Sequence, residues 1–294
     1  MGLQIIVNEV VSPTVMSVHV LARATDLRRS FALQALGRTD PTAGFLDDWA
    51  FVKRFIHAGA VVEVTCRVTQ EGLEAEAPPD LLERWRLRIA SHLEQEAPFT
   101  PTHPLVRRLH QRFQDLQLVP TPWLFDVACG AVLQQRVTFG EACGQFAKIA
   151  ATFGPEGRVF PDAKTLSQVP TYELRALGID EHRGRTLRAL AKVQSEHPFL
   201  GLETPATRVL ERLARVPGIG PWTIGMVQGF GLGDPDALLP GDVNLPHLVC
   251  GALAREPRGS DTRMLELLAP FEGHRFRVVR LLYAGGLTPP PRRR

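Results

Sequence analysis

A short glycine-rich turn between two helices constrains this chain more than any other feature. The turn reads VPGIG and occupies residues 216–220. Thr204 followed by Pro205 predicts a helix start with Thr204 as the N-cap, and apolar side chains then recur at helical spacing up to Leu213. A second helix is predicted over residues 221–230. Two helices joined by such a turn form a helix–hairpin–helix.

The turn has the chemistry of a phosphate-binding site. Gly218 and Gly220 carry no Cβ, so a partner can approach the backbone closely. The N–H groups at the start of the next helix favour an anion, and such a contact holds nucleic acid without reading its sequence. The alternative is an ordinary antiparallel helix pair whose loop contains glycine. We predict that the hairpin binds DNA phosphate through Val216, Pro217, Gly218, Ile219 and Gly220.

An aspartate follows the hairpin at a defined distance. Asp242 lies 22 residues after Gly220, behind the turn Leu239-Pro240-Gly241 and before a helix predicted over residues 243–254. The stretches VPGIGPWT and DPDALLPGD together resemble the helix–hairpin–helix (HhH-GPD) DNA glycosylases, which carry a Gly/Pro-rich loop and a catalytic Asp. Within this superfamily the chain looks most similar to the 3-methyladenine DNA glycosylase II (AlkA) group.

Three further stretches, at residues 124–139, 159–193 and 277–286, are similar to the same family, and the resemblance covers roughly residues 93–285. It implies a mainly α-helical fold in which two helical subdomains flank a DNA-binding cleft. It also implies an N-terminal α+β domain of about the size that precedes the helical part here.

The first part of the chain reads as such an α+β domain with an antiparallel sheet. We place it at residues 1–97, ahead of a helical glycosylase region at 98–294 that contains the helix–hairpin–helix at about 204–230. The side-chain pattern predicts strands over residues 16–20, 49–55, 60–68 and 73–77, helices over 26–36 and 81–93, and a turn at 70–72.

Asp242 is the candidate catalytic residue. Cleavage of the bond between a base and its sugar gives the sugar oxocarbenium character, which a nearby carboxylate stabilises while it orients or deprotonates a water. The resemblance puts Asp242 at the position of the family's catalytic carboxylate. The alternative, that Asp242 only caps the following helix, is compatible with this role because a capping carboxylate can still face the sugar.

The resemblance also implies a base pocket. Trp222 and Tyr283 match pocket aromatics that would bind a cationic, alkylated base, and Met226 stands one turn after Trp222, where the family often has another aromatic. Gln134 is expected in the pocket and Gln135 as the wedge that fills the gap left by a flipped base. Plain core packing and a polar helix end are the alternatives for these residues.

Composition and charge fit a DNA-binding protein of ordinary globular type. Residues 204–294 carry 12 basic and 8 acidic side chains, and they are the most basic third of the chain. No apolar run reaches the roughly 18 residues of a membrane span, and no secretory signal is evident. The cysteines, Cys66, Cys129, Cys143 and Cys250, are too scattered for a zinc or iron–sulfur site. We therefore expect a cytoplasmic monomer with no membrane partner.

The sequence favours an enzyme of base-excision repair over its alternatives. The expected reaction is that of DNA-3-methyladenine glycosylase II, a hydrolase of N-glycosyl bonds that removes alkylated, flipped-out bases from duplex DNA. Trp222 stands where bifunctional relatives carry a Schiff-base lysine, which predicts a monofunctional enzyme without a cofactor. The family implies one monovalent cation, Na⁺ or K⁺, on the hairpin carbonyls and no side-chain metal site. The alternative function is a non-catalytic helix–hairpin–helix DNA-binding module.

Overall fold

A five-stranded antiparallel sheet forms the N-terminal part of the structure. The computed structural model describes residues 15–18, 30–31, 35–69, 73–114 and 116–289. The strands are β1 (Val15–Val18), β2 (Ala43–Phe45), β3 (Ala50–His57), β4 (Ala60–Val68) and β5 (Leu73–Glu76), in the order β1-β5-β4-β3-β2. The strands predicted over 49–55, 60–68 and 73–77 are confirmed to within two residues at each end, and the one predicted over 16–20 is confirmed for residues 16–18, whereas residues 19–20 lie outside the described residues and β2 was not predicted. The turn predicted at 70–72 and most of the helix predicted at 26–36 lie outside the described residues.

Alternation along the strands decides which face of the sheet is buried. From Val62 to Val68, β4 buries every second side chain. Helix α1 (Pro79–Gln95) packs on this face, and its Trp85 lies 6.0 Å from the ring of Trp123, which precedes the helical part of the chain. The indole N–H of Trp85 also donates to the Pro120 carbonyl at 2.7 Å. The sheet and the helices are therefore joined by a shared aromatic core.

Helices follow one another through the rest of the chain, as predicted. They are α2 (Pro104–Arg112), α3 (Leu124–Leu133), α4 (Phe139–Phe153), α5 (Ala163–Gln168), α6 (Thr171–Ala176), α7 (Glu181–Glu196), α8 (Ala206–Leu213), α9 (Pro221–Met226), α10 (Leu245–Ala254), α11 (Asp261–Leu268) and α12 (Arg275–Ala284). A π-helical turn, Val227–Gly231, extends α9. Short 3₁₀ turns follow α4 and α11.

The helices build two apolar cores, which correspond to the two predicted subdomains. The first core is formed mainly by α3, α4 and α7, and the second by α2, α10, α11 and α12. Helix α9 lies between them. Its Ile224 and the following Val227 pack into the first core, whereas Trp222, Met226 and Phe230 pack against the second. The second helix of the hairpin thus packs between the two subdomains and contacts both cores.

Two predicted helix starts are wrong by one or two residues. Pro205, not Thr204, is the N-cap of α8, and no side-chain hydrogen bond caps that helix. Helix α10 begins at Leu245 instead of residue 243, because the Asp242 carboxylate takes the N–H groups of Asn244 and Leu245 into a turn ahead of the helix.

The described residues contain neither a membrane-spanning helix nor a cluster of metal ligands. No helix among those residues is both long and apolar enough to span a bilayer. Nor do three or more His, Cys, Asp or Glu side chains of that part of the chain cluster as metal ligands do. The four cysteines are buried and free, in β4, α3, α4 and α10. The domain boundary between residues 97 and 98 stays a prediction.

A helix glycine next to the Asp242 segment provides a test of this packing. A Cβ on Gly225 of α9 would lie 1.9 Å from the Leu238 carbonyl oxygen. We expect Gly225→Ala to lower the free energy of unfolding by about 1–3 kcal/mol through overpacking. Gly144→Ala in α4 is the control, because a Cβ there meets nothing within 4 Å, and it should stabilise by about 0.5–1 kcal/mol. Urea unfolding of both variants checks this; equal stabilities would contradict it.

Candidate active site

A cavity of about 490 Å³ opens where the sheet and the two helical cores meet. The four residues predicted to line a base pocket, and the predicted catalytic carboxylate, all border it: Gln134, Trp222, Met226, Asp242 and Tyr283. They come from the end of α3, from α9, from the loop before α10 and from α12. The fold therefore brings these five side chains, which span 150 positions in sequence, to one enclosed space.

Asp242 is held by three hydrogen bonds. The indole N–H of Trp222 donates to Oδ2 at 3.0 Å, and the backbone N–H groups of Asn244 and Leu245 donate to Oδ1 at 2.8 Å each. These bonds hold the carboxylate at the cavity, and two of them come from backbone N–H groups at the start of α10. A catalytic role and a capping role for Asp242 are therefore structurally compatible. The bond from Trp222 was not expected from the sequence, which indicated only an aromatic pocket residue.

The loop that carries Asp242 is anchored from another helix. Gly241 has a left-handed backbone, with φ of 81°, and its N–H donates to Asp261 Oδ2 at 2.8 Å. Asp261 is the first residue of α11, and Ser260 caps that helix. This contact was not expected from the sequence, since an aspartate in the first turn of a helix is common for local reasons.

The hairpin turn presents its backbone at the surface. Val216 and Ile219 are buried under it, while Pro217 and Gly218 are exposed. Gly218 has a φ of 87°, and a Cβ there would lie 2.0 Å from Thr186 Oγ1. Gly220 is extended, with φ −105° and ψ 179°, and a Cβ on it would meet nothing within 4 Å. Only the first glycine is thus required by the fold itself.

Gln134 and Gln135 have different surroundings. Gln134 borders the cavity and donates from Nε2 to the Gly130 carbonyl at 3.1 Å. Gln135 is not among the cavity residues; its Nε2 donates to the Gly218 carbonyl at 3.1 Å and to Thr223 Oγ1 at 2.9 Å. Gln135 therefore ties the loop after α3 to the hairpin, and its role as a wedge stays a prediction.

The mouth of the cavity is partly open and partly charged. Tyr283 is 44% exposed; partial burial and the neighbouring Asp242 carboxylate raise the pKa of its phenol. Arg280, one turn earlier on α12, is buried, and burial lowers the pKa of its guanidinium to about 10. It lies 5.3 Å from the Phe230 ring centre and remains a cation at neutral pH.

The wall of the cavity also contains a buried ion pair that sequence analysis missed. Lys53 of β3 and Asp126 of α3 both border the cavity, with 2.8 Å between Nζ and Oδ2. Burial raises the pKa of the Asp126 carboxyl, and the Lys53 charge opposes that rise. The one sequence feature that could have indicated this ion pair is the single carboxylate in the otherwise apolar helix LFDVACGAVL.

Comparisons with known proteins agree on the fold. No protein-family model matches the chain. A protein of Mycobacterium tuberculosis, described as a probable bifunctional transcriptional activator/DNA repair enzyme AlkA, is 29% identical over 126 residues, which are 41% of this chain and 25% of that protein. The chain thus matches only a quarter of the length of that curated relative.

Two solved structures cover nearly the whole chain. A 3-methyladenine DNA glycosylase from Archaeoglobus fulgidus has a TM-score of 0.69 at 18% identity, over 90% of this chain and 96% of its own. MBOgg1, solved in complex with a low-affinity DNA ligand, has a TM-score of 0.66 at 14% identity, over 97% and 98%. The chain therefore has the fold of the helix–hairpin–helix DNA glycosylases, and the predicted fold class is confirmed.

The two hairpin glycines should respond differently to substitution. Gly218→Ala needs a left-handed backbone for alanine and a shift of Thr186, so we expect the free energy of unfolding to fall by about 1–3 kcal/mol. Gly220→Ala should change it by less than about 0.5 kcal/mol, because the site is extended and open. Chemical denaturation of the two variants measures both values. A Gly218→Ala protein as stable as Gly220→Ala would show that the turn is not strained as described.

Proposed function

We propose that this protein is a monofunctional DNA glycosylase that hydrolyses the N-glycosidic bond of an alkylated base flipped out of duplex DNA. The main support for this proposal is the position of Asp242. The indole N–H of Trp222 donates a hydrogen bond to its carboxylate, which borders the cavity, and the hairpin turn before Trp222 is exposed. The names of similar proteins, a probable DNA repair enzyme AlkA and a 3-methyladenine DNA glycosylase, support the same reaction.

The proposed reaction uses the Asp242 carboxylate and a water molecule. As the bond from the sugar C1′ to the base nitrogen breaks, the electron pair leaves with the base and C1′ becomes positively charged. The carboxylate stabilises that charge and orients the water, whose oxygen bonds to C1′ while its proton passes to the Asp242 carboxylate and from there to solvent. The products are the free base and an abasic sugar. Trp222 carries no amine, so no Schiff base can form at that position.

The aromatic side of the cavity suits a base that already carries positive charge. The Trp222 indole and the Tyr283 ring offer π faces to a cationic alkylpurine, and the thioether of Met226 adds a soft, polarizable contact. Such a base leaves readily and depends little on a general acid. We propose alkylated bases of the 3-methyladenine type as substrates, with the base extruded from the stack.

Duplex DNA is the proposed partner, bound by one copy of the chain. The exposed backbone at Pro217 and Gly218 is available to phosphate oxygens, in a part of the sequence with more basic than acidic residues. A monovalent cation held by the carbonyls of Val216, Pro217 or Ile219 would add positive charge there. The Gly218 carbonyl already accepts a hydrogen bond from Gln135.

Replacement of the catalytic carboxylate separates the enzyme from a DNA-binding module. We expect Asp242→Asn to reduce base release at least about 100-fold, because the amide carries no charge to stabilise the sugar cation. Its DNA affinity should stay within twofold of the unmutated protein. Release of free base from a duplex with one alkylated purine, and alkali-induced strand breaks, measure the reaction; gel shifts measure binding.

Two other results would point elsewhere. If the unmutated protein binds the duplex but releases no base, the chain is a binding module. If borohydride traps a covalent protein–DNA adduct, the enzyme is bifunctional and the role inferred from Trp222 is wrong.

The hydrogen bond from Trp222 has its own expected effect. Trp222→Phe keeps an aromatic face but removes the N–H donor to Asp242. A hydrogen bond to a charged group is worth about 1.5–3 kcal/mol, so kcat should fall about 10- to 150-fold. Trp49→Phe, which alters a half-exposed tryptophan outside the cavity, is the matched control. An unchanged kcat in Trp222→Phe would contradict a positioning role for the indole.

A further inference from the structure

Four buried polar side chains lie together beside the cavity. Asp40 and Thr42 precede β2, Lys53 lies on β3, and Asp126 lies on α3. None is more than 7% exposed. Asp40, Lys53 and Asp126 border the same cavity as Asp242. Burial of two carboxylates and one ammonium is costly unless each has partners, so their hydrogen bonds determine what the cluster can still bind.

The Lys53 ammonium has three neighbours within the protein. Its Nζ donates to Thr42 Oγ1 at 2.7 Å, lies 2.8 Å from Asp126 Oδ2 as an ion pair, and lies 5.6 Å from the ring centre of Phe146. Lys53 therefore holds Thr42 in place and balances the charge of Asp126.

The Asp40 carboxylate is occupied as well. Its Oδ1 accepts from the N–H and the hydroxyl of Thr42 at 2.8 and 2.7 Å, and its Oδ2 accepts from the Leu36 N–H at 2.8 Å. Asp40 thus holds the segment before β2 in place and, like Lys53, serves as support.

The Asp126 carboxylate lacks hydrogen-bond donors. Its buried Oδ2 lies 2.8 Å from Lys53 Nζ but has no hydrogen-bond partner among the described residues, and none of them donates to Oδ1. Because the residue is only 7% exposed and borders the cavity, a donor on the cavity's occupant can satisfy this acceptor.

The burial gradient indicates which part of a ligand would reach Asp126. Asp242 is half-buried and Tyr283 is 44% exposed, whereas Asp126, which borders the same cavity, is 7% exposed. A nucleoside with its C1′ at Asp242 would therefore place its base on the more buried side of the cavity. The far edge of the base, which in adenine carries the exocyclic amino group, would then lie toward Asp126.

We propose that Asp126 is a specificity-determining residue that accepts a hydrogen bond from the exocyclic amino group of the extruded base, so that the cavity selects adenine-type bases over bases with a carbonyl at that position. A carbonyl at that position of the base would place its oxygen, a hydrogen-bond acceptor, against the Asp126 carboxylate, which is also an acceptor, in a buried site. Sites built around a donor–acceptor pair reject the mismatched analogue strongly. This inference rests on the proposed glycosylase function and adds the class of base to it.

Two neutral free bases, one with an amino group and one with an oxo group at this position, provide the probe. We expect 3-methyladenine to inhibit base release at a concentration at least about tenfold lower than 3-methylhypoxanthine does. In Asp126→Asn the amide can rotate to donate to a carbonyl, so the ratio of the two inhibition constants should fall to near one. Asp80→Asn, a change in an exposed aspartate outside the cavity, should leave the ratio unchanged.

A second variant guards against misfolding, because Asp126→Asn leaves Lys53 without its counter-charge. The double variant Lys53→Met with Asp126→Leu removes both charges, and apolar replacement of a whole buried ion pair is often tolerated. It should also lose the preference for 3-methyladenine. A ratio that stays as in the unmutated protein in both variants would overturn the inference.

The outcomes also separate this inference from the proposed function. If the protein releases base from alkylated duplex but is inhibited equally by the two free bases, the proposed glycosylase function stands and the proposed role of Asp126 is wrong. If the protein releases no base but binds 3-methyladenine in calorimetry, and this binding depends on Asp126, the recognition site stands and the proposed glycosylase function is wrong.

Discussion

The position of α9 between two apolar cores is the constraint on which the site depends. A six-residue helix and its π-helical extension put Ile224 and Val227 into one core and Trp222 and Met226 against the other. The side chains that pack against the second core are also those that border the cavity. The burial that holds the subdomains together therefore orients the indole that donates to Asp242, and packing and site geometry cannot vary independently.

The features that sequence predicts best are local ones. The glycine turn, the flanking helical spacing and the Pro-Gly turn before Asp242 all follow from backbone preferences within a few residues, and the resemblance to a known family supplied the roles. Helix starts were off by one or two residues at Thr204 and at 243, since a cap depends on which group reaches a free N–H. A hydrophobic pattern does not carry that information.

Non-local contacts were beyond sequence reasoning. Lys53 reads as one residue of a strand and Asp126 as one residue of a helix, and only the packing of the sheet against α3 makes them a pair at 2.8 Å. The bonds from Trp222 to Asp242 and from Gly241 to Asp261 each join residues 20 positions apart, and each depends on the fold around it. A charged residue in an apolar element is the general sign that such a partner exists.

The double hydrogen bond of Gln135 has a consequence for how the duplex would be presented. Because this side chain ties the loop after α3 to the Gly218 carbonyl and to Thr223, the exposed turn and the rim of the cavity form one rigid frame. The interval between a gripped phosphate and the cavity entrance is then constant. In the proposed glycosylase, only the nucleotide at one set number of steps from that phosphate would reach the cavity along a bound strand.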